Sequence, residues 1–225
     1  MNTPWSIGMT ASERRTRDKQ ELRQRILDTA RDLFVAHGYD GVTLRGIADA
    51  IEYAPGTIYG YFKDKEALIQ ALCLADWEAF EMSFPRGTQL ANPIEAIRGI
   101  GTAYIRFALA HPNQYRLMFM TPRPVLPPAE ALEKLGDPAR DGYALLRQMV
   151  QSAIEAKLLR YEFCDPELLS QTLWAGVHGM ASLEITEARD SLHAWAPVES
   201  RIEAIIESMF YGVVREGARG ARGSQ

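Results

Sequence analysis

The sequence predicts an all-α protein built from two parts, and three observations support this fold class. No stretch alternates apolar and polar residues between turn signals, as a strand would. Apolar residues recur instead at helical spacing, most regularly near the C-terminus at Ile202, Ile205, Ile206, Met209, Phe210 and Val213. Between residues 42 and 68, two short apolar-faced segments flank a three-residue turn. That spacing predicts a helix-turn-helix in the N-terminal part.

The composition is that of a globular protein, with 47% hydrophobic and 24% charged residues in 225. The net charge of −4 argues against a general nucleic-acid binder. Residues 1–75 hold 10 basic and 10 acidic residues, so the excess lies in residues 76–225, with 15 and 19. Two cysteines cannot form a disulfide framework, and neither a signal peptide nor a membrane-spanning run is present. We therefore expect a cytoplasmic protein with no membrane partner.

The N-terminal segment is predicted to be disordered over residues 1–16 and helical over 18–37, where Gly38 ends the helix. Basic residues dominate its first part: Arg14, Arg15, Arg17, Lys19, Arg23 and Arg25, against Glu13, Asp18 and Glu21. By charge alone, a phosphate-binding arm and a solvated terminus are equally good interpretations. The helix-turn-helix that follows favours contact with DNA.

The helix-turn-helix begins at Thr43, a good N-cap, and its first helix has one apolar face formed by Leu44, Ile47, Ala48 and Ile51. Pro55 suits the first turn of the second helix because its missing N–H would have no partner there. Ile58 and Phe62 are four residues apart and should pack inward. The outward positions are then Thr57, Tyr59 and Tyr61. A second helix of this kind fits the major groove of DNA.

This stretch resembles the DNA-binding domain of the TetR family of bacterial transcriptional regulators. The matching residues are Thr43, Ile47, Ala48, Gly56, Thr57, Ile58, Tyr59, Tyr61, Phe62, Lys65 and Leu68. Two positions depart from the family pattern, since Glu52 stands where the turn usually has Gly and Ala54 where the second helix usually has a Ser cap. A positive φ at Glu52 would strain the turn.

The resemblance implies a DNA-binding domain over 17–63 whose partner is double-stranded operator DNA. The candidate contacts are Thr43, Arg45, Pro55, Gly56, Thr57, Tyr59, Tyr61 and Lys65. Surface tyrosines on so short a helix favour a DNA role over a structural one, and Arg45 is a weaker candidate. Lys65 opens the next helix, where backbone N–H groups already favour anions, so we expect it to be exposed and to contact phosphate.

The remaining chain is predicted to form a ligand-binding and dimerisation domain over 64–217, with residues 64–82 as a linking helix capped by Asp64. Further helices are expected from Asn92, from Pro112, from Asp137 to Leu158, over 166–189 and over 198–217. The last two should pair with their symmetry mates in a homodimer, because small residues on the first allow close approach. Residues 121–128 should be a loop and 218–225 a mobile tail.

This second part resembles the Trp-His-Gly subgroup of the family's ligand-binding domains, through residues 104–119, Trp174, His178 and Gly179. The candidate ligand contacts are Tyr104, Phe107, Tyr115, Met118, Phe119, Met149, Trp174 and His178. Taken one by one, each is better explained as core than as pocket, and a lone His on an apolar helix is usually a hydrogen-bonded core residue. A mixture of aromatic and Met side chains nonetheless suits a pocket for a largely apolar effector.

Catalysis finds no support, because the four histidines lack metal-ligand spacing and neither a phosphate-binding loop nor a nucleophile elbow occurs. We expect no enzyme activity, no metal and no cofactor. The resemblance implies a homodimeric repressor that a small, largely apolar effector releases from its operator. The alternative is a helical small-molecule binding or enzymatic protein with a vestigial helix-turn-helix.

Overall fold

The computed structural model describes residues 10–121, 129–188 and 193–215, and the prediction of an all-α fold is confirmed. Over these residues the only strand-like pairing is one isolated antiparallel bridge between Leu159 and Val214. The chain forms two compact units. The N-terminal unit comprises Met1–Cys73 and Arg116–Leu126, and the C-terminal unit comprises Leu74–Tyr115 and Pro127–Gln225.

Helix α1 (Ala11–His37) begins earlier than the sequence predicts. The side chain of Thr10 accepts a hydrogen bond from the Glu13 N–H, and the Glu13 carboxylate accepts one from the Thr10 N–H at 2.7 Å. This capping box satisfies two free backbone groups and starts the helix there. Residues 11–16, expected to be disordered, are therefore helical, while residues 1–9 lie outside the described part. Gly38, with φ of 69°, ends the helix as predicted.

Helices α2 (Leu44–Ala50) and α3 (Pro55–Tyr59) form the predicted helix-turn-helix. The Gly46 N–H donates to the Thr43 hydroxyl at 3.0 Å, so Thr43 is the N-cap of α2. Ala54 occupies the N-cap of α3 and supplies no side-chain hydrogen bond. Between the helices, Glu52 has a φ of 61°, which confirms the strained position expected in the turn.

Helix α4 (Lys65–Met82) begins with the Ala67 N–H donating to the Asp64 carboxylate at 2.7 Å, the cap that the sequence predicts. Its first residues complete the core of the N-terminal unit. The buried side chains of that core come from α1, α2, α3, α4 and the π-helical turn Arg116–Met120: Ile26, Leu27, Ala30, Phe34, Leu44, Ile47, Ile51, Ile58, Phe62, Leu68, Leu72 and Leu117.

The C-terminal unit holds α5 (Pro93–Ala110), α6 (Pro112–Tyr115), α7 (Ala129–Leu132), α8 (Gly142–Glu155), α9 (Pro166–Thr186) and α10 (Val198–Val213). Asn92 and Asp165 cap α5 and α9 as predicted. The start of α8 is a correction, because Asp141 is its N-cap. The Asp141 carboxylate accepts from the Tyr143 N–H at 3.0 Å, whereas that of Asp137 accepts from Ala139 in a preceding turn.

Within this unit α5 packs against α8, α9 and α10. Its stripe Ile97, Ile100, Tyr104, Phe107 and Ala108 is buried. Helices α9 and α10 end at Thr186 and Val213, before the predicted ends near 189 and 217, which are therefore wrong. Most of the loop 121–128 and the tail 218–225 fall outside the described residues. In the described part of the chain, no helix has the length and hydropathy that a membrane crossing requires.

Candidate nucleic-acid interface and effector site

Helix α3 packs one side against the core of its unit and exposes the other side to solvent. Ile58 is fully buried and Phe62 is 4% exposed, so both point inward, while the phenol of Tyr59 is 57% exposed. Gly56 is exposed, whereas Thr57 and Tyr61 are half-buried at the edges. We call the exposed surface of Gly56, Thr57 and Tyr59 the α3 face. It is a rigidly backed surface whose one large free side chain is a hydrogen-bonding aromatic.

Gly56 is not required by the fold of the chain itself. A Cβ added there would meet no atom within 4 Å, and Gly56 is not among the residues with positive φ. A glycine at this exposed helical position costs roughly 0.5–1 kcal/mol relative to Ala. What the glycine provides is a backbone that another molecule can approach closely.

Thr43, Arg45 and Pro55 frame the α3 face. Thr43 is exposed and its hydroxyl already accepts from the Gly46 N–H. The Arg45 side chain is exposed and forms no ion pair with any residue in the described ranges. Pro55 starts α3, as predicted. Of these three, Arg45 is the one whose charge is available to a partner.

Lys65 differs from its expected exposure. Its ammonium donates to the backbone oxygens of Tyr39 at 2.9 Å and Val42 at 3.1 Å, and it lies 4.0 Å from the centre of the Tyr39 ring. These contacts tie the loop after α1 to the start of α4. The expectation that Lys65 is exposed is therefore wrong, because the side chain satisfies two backbone acceptors that lack helical partners.

Two arginines of α1 extend the candidate interface beyond the residues that sequence analysis selects. The Arg23 guanidinium lies 5.5 Å from the centre of the Phe62 ring, and that of Arg25 lies 5.8 Å from the ring of Tyr53. Tyr53 is 40% exposed and immediately precedes Ala54, the N-cap of α3. The sequence shows the basic run but not which aromatic rings its members meet.

In the C-terminal unit, four of the predicted effector residues form one hydrogen-bonded group, which we call the aromatic cluster: Tyr104, Tyr115, Trp174 and His178. The Trp174 indole N–H donates to the Tyr104 hydroxyl at 3.1 Å. The Tyr104 and Tyr115 hydroxyls lie 3.0 Å apart, and that of Tyr115 lies 2.6 Å from Nδ1 of His178. Helices α5, α6 and α9 thus bring their polar atoms to one point.

Burial sets the protonation of this cluster. It raises the pKa of the Tyr115 and Tyr104 phenols and lowers the pKa of His178. All three groups are therefore neutral at pH 7. A neutral imidazole with its proton on Nε2 accepts through Nδ1, which matches the short contact with the Tyr115 hydroxyl. Such a cluster can exchange its internal hydrogen bonds for those of a ligand that carries a hydroxyl or carbonyl group.

Other predicted effector residues are placed in two groups. Phe107 is buried against Phe80 at 5.1 Å between ring centres, and Met149 is buried in α8. Met118 and Phe119 lie in the π-helical turn that belongs to the N-terminal unit. Six of the eight predicted residues therefore share the C-terminal unit.

Glu81, near the end of α4, is a titratable group that sequence analysis missed. Burial raises its carboxyl pKa to about 7, and the neighbouring Asp141 charge adds to the shift. The Gly142 N–H, Arg86 and Lys134 oppose it. No local sequence signal marks this position, because its neighbours come from α8 and the segment before it. Among described residues, no group of three His, Cys, Asp or Glu side chains could hold a metal ion.

Comparison with known proteins finds a matching family model for each of the two units. Residues 26–72 match the model of the "Bacterial regulatory proteins, tetR family", and residues 97–209 match the "Tetracyclin repressor-like, C-terminal domain". The HTH-type transcriptional regulator UidR of Escherichia coli is 41% identical over 80 residues, 36% of this chain and 38% of that protein. The repressor Rv1474c of Mycobacterium tuberculosis is 45% identical over 56 residues, 25% and 30% of the two chains.

This chain thus aligns with about a third of the length of these curated relatives, 38% of one and 30% of the other. A wider match comes from a solved structure, the TetR family transcriptional regulator PfmR of Thermus thermophilus. It superposes with a TM-score of 0.64 at 19% identity, covering 92% of this chain and all of that one. At that identity the match shows the fold.

Proposed function

The chain belongs to the TetR family of bacterial regulatory proteins, and on that premise we propose that it is a homodimeric repressor released from its operator by a small, largely apolar effector. The observation that carries the DNA role is the α3 face. Tyr59, which is 57% exposed, stands beside the open Gly56 on a helix that the buried Ile58 holds in place. A hydrogen-bonding aromatic is therefore available where a duplex can approach the backbone closely. The names of the two curated relatives, a regulator and a repressor, support this role.

Gel shift with an operator selected from a randomised duplex pool tests the DNA role. Tyr59→Ala should weaken binding by 1–3 kcal/mol, roughly 5- to 150-fold, if the phenol touches a base edge. Stability should change by no more than about 0.5 kcal/mol, since the side chain is exposed. Tyr161→Ala, on a Tyr that is 78% exposed in the other unit, is the control. A chain that selects no duplex would instead favour a helical ligand-binding or enzymatic protein.

The dimer rests on one side of α9. A stripe of apolar and small residues recurs at helical spacing along it, exposed except for the half-buried Gly179: Leu168, Thr172, Ala175, Gly179 and Leu183. A Cβ at Gly179 would meet no atom within 4 Å, which leaves room for a second helix. On α10, Tyr211 is 71% exposed, and a Cβ added at the neighbouring Gly212 would meet no atom within 4 Å. Pairing α9 and α10 with their symmetry mates would cover these residues.

Light scattering tests the dimer with a pair of equally exposed leucines. Leu183 on α9 and Leu132 on α7 are each 49% exposed. Leu183→Lys should yield a monomer at micromolar concentration, because it places a charge in the paired surface. Leu132→Lys should remain dimeric. If the parent protein is monomeric under these conditions, the proposed dimer is wrong. The expected separation of its two α3 helices, about 34 Å or one turn of DNA, is then wrong as well.

The effector site is proposed at the aromatic cluster, with Phe107 and Met149 as apolar neighbours. Its resemblance to the Trp-His-Gly subgroup rests on Trp174, His178 and Gly179. Trp174 is 39% exposed while its N–H reaches the buried Tyr104 hydroxyl, so it joins the surface of the unit to the cluster. No catalytic role is assigned to the cluster, since it lacks an activated nucleophile.

An effector can weaken operator binding only by as much as its affinity differs between the DNA-binding and the released state of the dimer. Trp174→Phe should abolish or shift release by members of a panel of apolar and aromatic compounds, because it removes the indole N–H but keeps a ring. Operator affinity without ligand should stay unchanged. If no compound in the panel ever alters operator binding by the parent protein, the effector site is wrong.

A further inference from the structure

The exposed first half of α1 carries a charge pattern that the helix-turn-helix does not explain. From Ala11 to Glu21 every residue is exposed, and the first fully buried side chain is Ile26. Leu22 already packs against the core, so the exposed residues Ala11–Glu21 extend about 16 Å beyond it, at 1.5 Å per residue. Thr10 and Glu13 cap its free end, so the extension is a defined helix.

Three cations of this extension lie on one face of the helix. Arg15, Lys19 and Arg23 follow one another at intervals of four, and the next step in the same row is the buried Leu27. We call Arg15, Lys19 and Arg23 the basic stripe. It continues the core-facing side of α1 outward past the end of the core, on the side where α2 and α3 pack.

The opposite side of the extension has mixed charge. Arg17 is 3.3 Å from Glu21 and 3.5 Å from Asp18, so acidic groups offset its charge. In contrast, no carboxylate of the described ranges forms an ion pair with Arg15, Lys19 or Arg23. All three carboxylates of this segment, Glu13, Asp18 and Glu21, lie off the stripe. The stripe therefore gathers three cations without an ion-paired carboxylate on one face, whereas off the stripe Arg17 is paired and, among the described residues, Arg14 stands as a single unpaired cation.

The inner end of the stripe is continuous with the candidate interface. The Arg23 guanidinium lies over Phe62, a core residue shortly after the end of α3. Arg23 is thus fixed next to the recognition helix, and Lys19 and Arg15 continue away from it in steps of about 6 Å along the helix axis. Each strand of a duplex presents a regular row of phosphates, so a row of cations on one helix face can contact more than one of them.

We propose that the basic stripe binds the phosphate backbone of the operator duplex outside the segment that α3 reads. This inference rests on the proposed DNA-binding function and extends it to a second, sequence-independent contact. The contact would add affinity and fix the orientation of the unit on DNA without reading bases.

Paired substitutions of equal charge test the proposal. Arg15→Ala with Lys19→Ala removes two cations from the stripe, and Arg14→Ala with Arg17→Ala removes two from the other faces of the same segment. All four residues are exposed helical positions, so circular dichroism and thermal unfolding should match the parent. Fluorescence anisotropy with a selected operator carrying about ten flanking base pairs on each side measures the affinity.

Loss of two phosphate contacts lowers the slope of log Kd against log salt by about 1.8. The stripe variant should therefore lose roughly tenfold more affinity, relative to the parent, at 50 mM than at 200 mM salt. The control pair should leave the slope unchanged. Trimming the flanking base pairs should reduce parental affinity and abolish the difference between the parent and the stripe variant.

Equal losses in the two variants, or an effect that persists on the trimmed duplex, would overturn the stripe while leaving DNA binding by α3 intact. A stripe variant that binds like the parent at both salt concentrations would overturn it too. A parent protein that selects no duplex would overturn the proposed function together with the stripe. Each failure is therefore distinct.

Discussion

The two units differ in how their candidate binding residues relate to the packing of the fold. In the N-terminal unit, α3 buries Ile58 and leaves Tyr59 exposed, so the side chain offered to a partner does not hold the fold together. In the C-terminal unit, the Tyr115 hydroxyl and Nδ1 of His178, 2.6 Å apart, are candidates for ligand contact and also bond each other. Binding and folding should therefore be separable by substitution in the first unit and coupled in the second.

The largest expected effect comes from two neighbours on α3. Ile58→Ala should lower the free energy of unfolding by about 2–5 kcal/mol, because it empties a fully buried site. Tyr59→Ala should change it by no more than about 0.5 kcal/mol. Urea unfolding followed by circular dichroism measures both. Similar losses for the two variants would mean that Tyr59 supports the fold, and the contrast between units would disappear.

The coupling predicted for the second unit can be tested with a single oxygen atom. Tyr115→Phe deletes the buried hydroxyl and leaves the imidazole acceptor of His178 without this donor, at a cost of roughly 1–3 kcal/mol. The same change at Tyr143, a half-exposed residue whose hydroxyl donates to Glu167 at 2.6 Å, should cost less, about 1 kcal/mol or below. Equal losses in the free energy of unfolding would show that the Tyr115 hydrogen bond of the aromatic cluster stabilises the fold no more than the Tyr143–Glu167 hydrogen bond does.

Glu81 gives the C-terminal unit a dependence on pH. Its folded pKa of about 7 exceeds the ordinary value of 4.5, so the folded state holds the proton more tightly. The stabilisation is fully present below pH 4.5 and is lost as the pH rises through 7. Glu81→Gln should therefore be neutral near pH 5 and stabilising by roughly 1–3 kcal/mol at pH 8. A gain that is the same at both pH values would place the carboxyl pKa near its ordinary value.

The same contrast explains what the sequence could predict. The caps at Thr43, Asp64 and Asn92 and the inward side of α3 depend on residues within four positions of one another, and local rules found them. Lys65 was misjudged because its acceptors, Tyr39 and Val42, lie more than twenty positions away. Tyr104 and His178 are 74 positions apart, so their hydrogen bond follows from packing, which no periodicity encodes.

The predicted start of α8 was wrong because two nearby Asp residues can each act as its N-cap. Asp137 before Pro138 and Asp141 before Gly142 are both acceptable caps by sequence, and Asp141 prevails since its carboxylate also accepts from the Gly136 N–H at 2.8 Å. Glu81 carried no signal, because its raised pKa arises from burial in the folded unit and from the charge of Asp141, about sixty positions later.

The smallest expected effect compares one turn from each unit. Helices α2 and α8 end in the same hydrogen-bond pattern: the Tyr53 N–H donates to Ala48 at 2.9 Å and the Leu158 N–H donates to Ala153 at 3.0 Å. This is the Schellman motif, whose left-handed residue is usually Gly, yet Glu52 and Lys157 occupy it with φ of 61° and 56°.

Replacing either residue with Gly removes a left-handed cost of about 1–2 kcal/mol and adds a backbone entropy cost of about 0.5–1 kcal/mol. Glu52→Gly and Lys157→Gly should each stabilise the protein by roughly 0.5–1 kcal/mol, measured by thermal unfolding. Operator affinity should not change for Glu52→Gly, because the Tyr53 hydrogen bond and Pro55 still fix the start of α3. If Glu52→Gly alone weakened DNA binding, the strained turn would be part of the interface, and function and folding would be coupled in the N-terminal unit too.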